Sequence, residues 1–411
     1  MNITRTHKFF DTLLLTLLVF SGGSLLFKFY RNEFSIILLL VALFTIFFMG
    51  SKIKRSVFNT SIFTLVIFLF LIILNYIVAP GNQKFLKYGF HMMNITSCVL
   101  ILTHFKNNRS SDYFLGRIRD ILKIILYFSI LNFLAYFVVY NQSTDLYFLS
   151  HQGSEKLITK TYKYLFFFQE KHAFNFFGIE LIRNQGWFWE PGVNQVYLNI
   201  LLYLEGFVFK RGKWTIPLIV FAIITTYSTT GIFLMIIILF FIFIKSIKRN
   251  SIIYIFLGIL ITYPLYYLAK SNIENKSIEN VSSMNKRIFD LVQPLSIASE
   301  NPITGIGLDI EHFQKYRSEY HLSDEIQSLL TTETTEKGSS NSVTFLIAAT
   351  GFPMSLFLLY CLFKQNLFTY RKGIFMTIII ISVLSEPLLL RPFFLILIVS
   401  GMYAFFNKFT E

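Results

Sequence analysis

Cysteine and charged residues are scarce in this chain of 411 residues. It has two cysteines, Cys98 and Cys361, and only 15% of its residues are charged. Both cysteines fall inside long apolar runs, so no disulfide is expected and cysteine chemistry is not indicated. Hydrophobic residues make up 54% of the chain, and phenylalanine alone occurs 49 times. This composition excludes an ordinary soluble domain and predicts a protein that lies in a lipid bilayer.

Apolar runs that can cross a bilayer recur along nearly the whole sequence. A helix needs about 20 mostly apolar residues to span the hydrocarbon core. The fold class predicted is therefore all-α, a polytopic bundle of about twelve transmembrane helices. The predicted spans lie near 9–27, 34–50, 58–79, 89–105, 121–140, 191–209, 214–229, 230–244, 251–269, 341–363, 374–390 and 392–406.

The net charge of +14 comes from 37 lysines and arginines against 23 acidic residues. In a soluble protein such a balance favours nucleic-acid binding, but here the basic residues are segregated. With a cytoplasmic N-terminus, twenty of them lie in inside segments and five in short outside segments. The positive-inside rule explains this pattern without nucleic acid. Both termini are therefore predicted to be cytoplasmic, and no nucleic-acid partner is expected.

Two long polar segments interrupt the spans, and both are predicted on the outer face. The organisation is five spans in 1–140, a loop at 141–190, four spans in 191–269, a loop at 270–340 and three spans in 341–411. The first loop is rich in aromatic residues, so we expect it to fold against the membrane, partly as an amphipathic helix. In the second loop, apolar spacing predicts a short helix from Arg287 to Ser299. Loops this long usually carry function.

The segment from Arg183 to Gly192, where the first loop re-enters the membrane, is the most informative. Pro191 suits the first turn of a helix, which places Glu190 at the positive end of that helix and favours its ionised form. Arg183 can fork onto a diphosphate with two parallel hydrogen bonds. The alternative is a buried Arg183–Glu190 pair that fixes the loop, with Trp187 and Trp189 as interface anchors.

Four elements in order resemble one family. The segment 183–192 reads R-x-x-G-x-F-x-E-P-G, and a Ser/Thr-rich turn follows at Thr226 to Gly231. Arg287 precedes an N-P-x-x-G-x-G element at 301–307, and Ser340-Asn341 is followed by Gly351. Together they resemble the O-antigen polymerase and O-antigen ligase superfamily of polytopic membrane glycosyltransferases. At the position where the ligases carry histidine this chain has Ser340, which favours a polymerase over a ligase.

The resemblance implies transfer of a glycan from undecaprenyl diphosphate to a hydroxyl of a second lipid-linked repeat unit. The transferase would work at the outer leaflet of the cytoplasmic (inner) membrane in polysaccharide biosynthesis. The implied partners are lipid-linked repeat units, membrane lipid and a possible chain-length regulator protein, with no metal and no cofactor. The catalytic candidates are Arg183, Glu190 and Arg287, and the substrate-binding candidates are Arg183, Arg287, Trp187, Trp189, Tyr227, Asn341 and Arg391.

Other assignments stay open from sequence. A ligase is the nearest alternative function, and a transporter or flippase of lipid-linked sugars is a third, disfavoured because charges are concentrated in outside loops. Glu205, inside a span, is either functional or paired with the basic end at Lys210-Arg211. Glu386 is expected to bridge to Arg391, although Arg391 can instead join the diphosphate site. Poorer candidates for the base are Asp309, Glu311 and His312.

Overall fold

The structure is a computed structural model, and it describes residues 5–49, 52–149, 155–169, 173–176, 179–210, 214–246, 281–323, 335 and 337–410. The predicted ninth span, 251–269, lies outside these residues, as do 270–280 at the start of the second loop.

The N-terminal part is built from helices. They are α1 (Arg5–Phe20), α2 (Leu25–Phe29), α3 (Arg31–Met49), α4 (Arg55–Val78), α5 (Phe85–Asn108) and α6 (Ser111–Val139). The predicted first span is broken between α1 and α2 at Gly22 and Gly23. A side chain on Gly22 would overlap the hydroxyl of Tyr197, and Gly23 has a φ of +147°, which favours glycine. This turn brings the chain against the segment that precedes the seventh helix.

The first long loop forms β-structure, so the expectation of an amphipathic helix there, and of a purely helical protein, is wrong. An antiparallel sheet contains β1 (Thr144–Leu149), β2 (Glu155–Tyr162) and β3 (Phe166–Phe168), in that order, and β4 (Ala173–Phe176) pairs with β5 (Ile179–Ile182). Threonine and aromatic residues suit a half-buried strand. Asn132 of α6 bonds both the N–H and the carbonyl of Phe167, at 2.9 and 3.0 Å, which fastens β3 to the helices.

The C-terminal part is again helical. It contains α7 (Pro191–Tyr203), which continues as a π-helix (Leu204–Phe209), then α8 (Thr215–Thr225), α9 (Thr229–Ser246), α10 (Val281–Glu300), α11 (Ile310–Glu319), α12 (Ser342–Lys364), α13 (Lys372–Ser385) and α14 (Pro392–Thr410). The short helix predicted over 287–299 is confirmed as part of α10. Every residue of α7 is buried, so this helix packs inside the bundle, while Glu190 directly before it is exposed.

Five helices in the described ranges are long and apolar enough to cross a membrane: α3, α4, α5, α6 and α12. Four further helices are also apolar but shorter: α8, α9, α13 and α14. The protein is therefore a multi-pass membrane protein, while the number of twelve spans stays a prediction.

The glycine-rich 301–307 segment packs backbone against backbone on α12. Gly305 has a φ of +63°, and a Cβ there would lie 2.5 Å from the backbone of Ala349. The N–H of Gly307 donates to the carbonyl of Ala349 at 2.9 Å. Gly351 interrupts α12 with a φ of +71°, and a side chain on it would overlap the carbonyl of Ile303. These glycines therefore serve close packing of the second loop on the bundle.

Glu205 lies in the π-helix, fully buried, and its partner differs from the expected one. Arg119 of α6 forks onto its carboxylate at 2.8 and 3.1 Å, and Lys123 adds a contact at 3.1 Å. Both cations come from α6, where they lie one turn apart on one face, and Arg211 lies outside the described residues. Glu205 is thus one member of a buried ion-pair network between α6 and the π-helix, and it is away from the loops.

Candidate functional site

The segment from Arg183 to Gly192 is fixed mainly through Asn184. The N–H of Asn184 donates to the carbonyl of Thr225 at 3.0 Å, and its side-chain amide donates to the carbonyl of Ser129 at 2.8 Å. Gly186 follows with a φ of +56°, in the left-handed region that favours glycine. These bonds tie the segment to α6 and α8, so Arg183 has a defined position beside the turn that follows α8.

Both tryptophans of this segment pack into the protein. Trp187 stacks on Phe128 with ring centroids 3.9 Å apart. Trp189 is only 5% exposed, and its backbone N–H donates to the carbonyl of Gly23 at 3.3 Å. The ring of Trp189 therefore has little free surface on which a sugar can stack, while Trp187 is half-buried. This placement favours a supporting role over the direct substrate contact predicted for them.

Arg183 lies among charges from three different parts of the chain. Its Nε donates to the carbonyl of Thr226 at 3.0 Å, and its two terminal nitrogens make no hydrogen bond to the described residues. Burial lowers the pKa of Arg183 to about 10, while the carboxyl groups of Glu386 and Glu190 act in the opposite direction and Arg287 adds to the lowering. The structure thus brings one arginine from each long loop within electrostatic reach of the other.

Glu190 directly precedes α7, as predicted, and Pro191 occupies the first turn. Its carboxylate does not cap the helix. Glu190 is exposed to solvent, yet its partial desolvation by the surrounding protein is the largest cause of a raised pKa of Glu190. Lys28, Arg183 and Lys286 act against that rise. The shift is opposite to the one expected from the helix end alone, because desolvation outweighs the helix dipole and the cations.

Glu386, which the sequence analysis assigned to a salt bridge, belongs to this cluster. It follows α13, is 9% exposed, and its carboxyl group rests on Gly192 in the first turn of α7. A side chain on Gly192 would overlap that carboxyl group. Burial raises the pKa of Glu386 to about 8, the negative charge of Glu190 adds to the rise, and Arg287 and Arg183 oppose it. Two neighbouring carboxyl groups with raised pKa values thus face two arginines.

Two ion pairs considered from sequence are absent among the described residues. Arg183 and Glu190 interact electrostatically, but their side chains do not come within 4.0 Å of each other. Glu386 makes no ion pair with Arg391, so that expectation is wrong. The guanidinium of Arg391 instead lies 5.0 Å from the ring centroid of Phe27 and 5.1 Å from that of Trp189. The guanidinium of Arg391 thus makes cation–π contacts with these two rings instead of an ion pair with Glu386.

The position of Arg287 depends on the buried face of α10. Asp290, one turn further along, pairs with the fully buried Arg317 of α11 at 2.9 Å, and Nε of Arg317 donates to Gln293 at 2.7 Å. Arg287 itself is exposed. The pair fastens α10 to α11, and the adjacent turn of α10 then presents Arg287 to the carboxyl groups at the start of α7.

Ser340 and Asn341 also act through this network. Ser340 donates to Asp290 from its hydroxyl at 2.6 Å and from its N–H at 3.0 Å. Asn341 caps α12, because its side-chain oxygen accepts the N–H groups of Val343 and Thr344. Asn341 thus has a capping role through its side-chain oxygen, and its contact with substrate stays a prediction. Asp290 and Arg317 were missed from sequence because nothing local marks them as partners.

Tyr227 sits at the turn between α8 and α9 with a φ of +47° and is 7% exposed. Its side chain interacts electrostatically with Arg183, and the preceding residue, Thr226, accepts the hydrogen bond from Arg183. Tyr227 thus belongs to the wall that holds Arg183, and it has little surface with which to line a groove.

The poorer base candidates are already engaged in holding α11. Asp309 caps α11 by accepting the N–H of Glu311 at 2.9 Å, and it also accepts the N–H of Lys84 at 3.0 Å. Glu311 bridges to Lys84 and Lys87, each at 2.6 Å. Hydrogen bonds from these two lysines lower the pKa of Glu311 to about 2. A carboxylate of such low pKa is a weak base.

Replacing Asp290 by alanine is expected to destabilise the protein strongly. It leaves the guanidinium of Arg317 buried without its carboxylate, and breaking such a pair costs about 3–5 kcal/mol. Thermal unfolding of the purified protein in detergent measures this as a lower midpoint. The matched control is Glu319→Ala, which removes a carboxylate from an exposed ion pair with Lys315 within α11. Equal midpoints for the two variants would contradict the role given to Asp290.

Comparison with known families agrees with the order of the motifs. Residues 214–360 match the family model of O-antigen ligases. The match includes the Thr226–Gly231 turn, Arg287, the 301–307 segment and Gly351, and it leaves Arg183, Glu190 and Glu386 outside. It confirms the resemblance to the O-antigen ligase and polymerase superfamily. A comparison with curated proteins gave no match.

Proposed function

We propose, from the match of residues 214–360 to the O-antigen ligase family and from the charge cluster beside α7, that the protein is a repeat-unit polymerase of a surface polysaccharide. It transfers a glycan from undecaprenyl diphosphate to a hydroxyl of another lipid-linked repeat unit. The observation that carries the proposal is that Arg183 and Arg287, one from each long loop, meet beside Glu190.

The chemistry follows from the charges. The bond between the anomeric carbon of the donor sugar and the diphosphate oxygen breaks, and its electron pair goes to the diphosphate. Arg183 and Arg287 stabilise the negative charge that develops there, with donors that are positioned in advance. The acceptor hydroxyl oxygen forms the new bond to the anomeric carbon, and its proton goes to the carboxylate of Glu190. The products are the extended glycan and a free lipid diphosphate.

Polymerisation is favoured over ligation by Ser340. A serine hydroxyl that donates to Asp290 at 2.6 Å does not supply the base that a histidine supplies at this position of the ligase pattern. Among the residues that the structure describes, Glu190 is the exposed carboxylate whose charge interacts with both arginines. We therefore assign the transferred proton to it. Transport of lipid-linked sugars is disfavoured because the cluster is built from the two long loops and from residues that flank α7 and α13, and not from residues within the predicted spans.

The membrane placement belongs to the same proposal. The excess of basic residues in the short loops of one side supports a cytoplasmic position for both termini. The cluster then faces the outer leaflet of the inner membrane, where lipid-linked units and surrounding membrane lipid reach it from the side. A chain-length regulator is a partner that such a polymerase would accommodate.

Purified protein mixed with lipid-linked repeat units tests the function directly. A polymerase converts single units into lipid-linked dimers and longer chains and releases undecaprenyl diphosphate. A ligase leaves single units unjoined until a separate acceptor, such as a lipid A core, is added. A flippase moves units across a vesicle membrane without changing their length. Either of the last two results, without chain extension, overturns the proposed function.

A further inference from the structure

A second pair of arginines lies at the ends of α3 and α14. Arg31 is the first residue of α3, and its guanidinium carbon is 4.0 Å from the ring centroid of Phe90. Arg391 directly precedes α14 and lies over Phe27 and Trp189, at 5.0 and 5.1 Å. The two arginines are linked by packed rings, since Phe34, three residues after Arg31, has its ring centroid 5.7 Å from that of Phe27, over which Arg391 lies. The charge of Arg31 also adds to the lowering of the pKa of Arg391 by burial. Like charges in such proximity are unfavourable unless an anion joins them.

In the described part of the chain no carboxylate neutralises this pair. Neither arginine has an acidic side chain within 4.0 Å, and neither donates a side-chain hydrogen bond. Nε of Arg31 is buried and has no hydrogen-bond partner. A buried donor without a partner carries a desolvation cost, and in native proteins it usually marks a missing ligand or water. The aromatic rings cover the faces of the guanidinium groups and leave their edges for an anion.

The N–H groups of these two guanidinium groups are suited to bind a phosphate group. A guanidinium is planar and presents parallel N–H groups that match two oxygens of a phosphate or carboxylate. Two of them side by side match the charge of a diphosphate better than that of a single carboxylate.

The pair is adjacent to the reaction site but distinct from it. Arg391 covers Trp189, and the next residue in the chain is Glu190, whose charge interacts with Arg183 and Arg287. Lys28 lies between the two groups, 5.9 Å from the ring of Trp189 and within electrostatic reach of Glu190. Trp189 therefore separates the two cationic sites.

We propose that Arg31 and Arg391 hold the diphosphate of the second lipid-linked substrate, the acceptor, whose own diphosphate bond stays intact. The inference rests on the proposed polymerase function, since joining two lipid-linked units requires that two lipid diphosphates be held at once. Arg183 and Arg287 then serve the donor, because they lie beside Glu190 where the bond breaks. The acceptor glycan extends from Arg31 and Arg391 past Trp189 toward Glu190.

Native mass spectrometry of the purified protein with added undecaprenyl diphosphate tests the second site. The wild type is expected to bind two molecules, and Arg31→Gln/Arg391→Gln only one, with at least about tenfold weaker uptake of the second. Arg183→Gln/Arg287→Gln is likewise expected to bind one. The control is Lys84→Gln, because Lys84 is a cation already neutralised by Glu311, and it should bind two. Arg31→Lys/Arg391→Lys keeps both positive charges but loses the two parallel N–H groups of each guanidinium. This variant should weaken binding of the second molecule less than Arg31→Gln/Arg391→Gln does.

The outcomes separate this inference from the polymerase function. Chain extension by the wild type with one bound molecule, or two bound molecules in Arg31→Gln/Arg391→Gln, overturns the second site and leaves the polymerase standing. No chain extension and no bound molecule overturns both. Displacement of the second molecule by phosphatidylglycerol at equal concentration shows a general anionic-lipid site and overturns the assignment to the acceptor. An unchanged unfolding midpoint of each variant confirms that the protein remains folded.

Discussion

Arg183→Gln and Arg287→Gln are each expected to lower the rate of chain extension by about 10²–10³-fold, the usual cost of removing one preorganised donor from a developing anion. The loss should appear in kcat as well as in kcat/KM, since the diphosphate gains charge as the glycosidic bond breaks. The rate of dimer formation from lipid-linked units measures it. Lys84→Gln, a change of one cation outside the cluster, should keep the wild-type rate.

The two arginines are expected to differ in how well lysine replaces them. Nε of Arg183 is held by the carbonyl of Thr226, so Arg183→Lys loses the anchoring bond as well as the fork. Arg287 is exposed and has no such anchor, so Arg287→Lys should retain more activity. Equal rates for wild type, Arg183→Gln and Arg287→Gln would remove both residues from the reaction.

Glu190→Gln is expected to lower the rate by about 10²–10⁴-fold, the range for loss of a general base. A base acts in its deprotonated form, so the wild-type rate should rise with pH as Glu190 ionises. The raised pKa of Glu190 places this rise above the ordinary range of a glutamate. The rise should be missing from the residual rate of Glu190→Gln. A pH profile of chain extension between about pH 4 and 9 measures both effects.

Glu386→Gln is the matched control for Glu190→Gln, because it replaces the neighbouring carboxyl group of the same cluster. Burial raises the pKa of Glu386 to about 8, so at neutral pH it keeps its proton and glutamine imitates it. The variant should therefore retain the limb on which the rate rises with pH. At higher pH the wild type should lose activity as Glu386 ionises, because a second negative charge then faces Arg183 and Arg287. Glu386→Gln should not show that fall. A profile in which Glu386→Gln, and not Glu190→Gln, abolishes the reaction would reverse the two assignments.

The sequence was sufficient for the parts of the site that depend on local order. Pro191 after Glu190 predicted the start of α7, and the apolar spacing after Arg287 predicted α10. The positions of Arg183 and Arg287, one in each loop, led to the expectation that they meet, because both loops were predicted on one face. Their positions are nevertheless fixed by contacts between distant residues, the bond from Arg183 to Thr226 and the pair of Asp290 with Arg317.

The remaining features depend on contacts between distant segments. Glu386 joins the cluster through a close approach to Gly192, which no local pattern of either residue indicates. Arg391 was expected to pair with Glu386 because the two are five residues apart, yet Trp189 takes its guanidinium. In the first loop, aromatic residues that suit the membrane interface also suit strands, so composition did not distinguish an amphipathic helix from β1–β5. Arg31 gave no sequence signal, since a basic residue between two spans is ordinary.

An experimental structure of the protein with bound undecaprenyl diphosphate tests the central claim most directly. The account predicts density for a diphosphate between Arg183 and Arg287, with Glu190 on the side from which the acceptor hydroxyl approaches. Diphosphate density that contacts neither Arg183 nor Arg287 would contradict it.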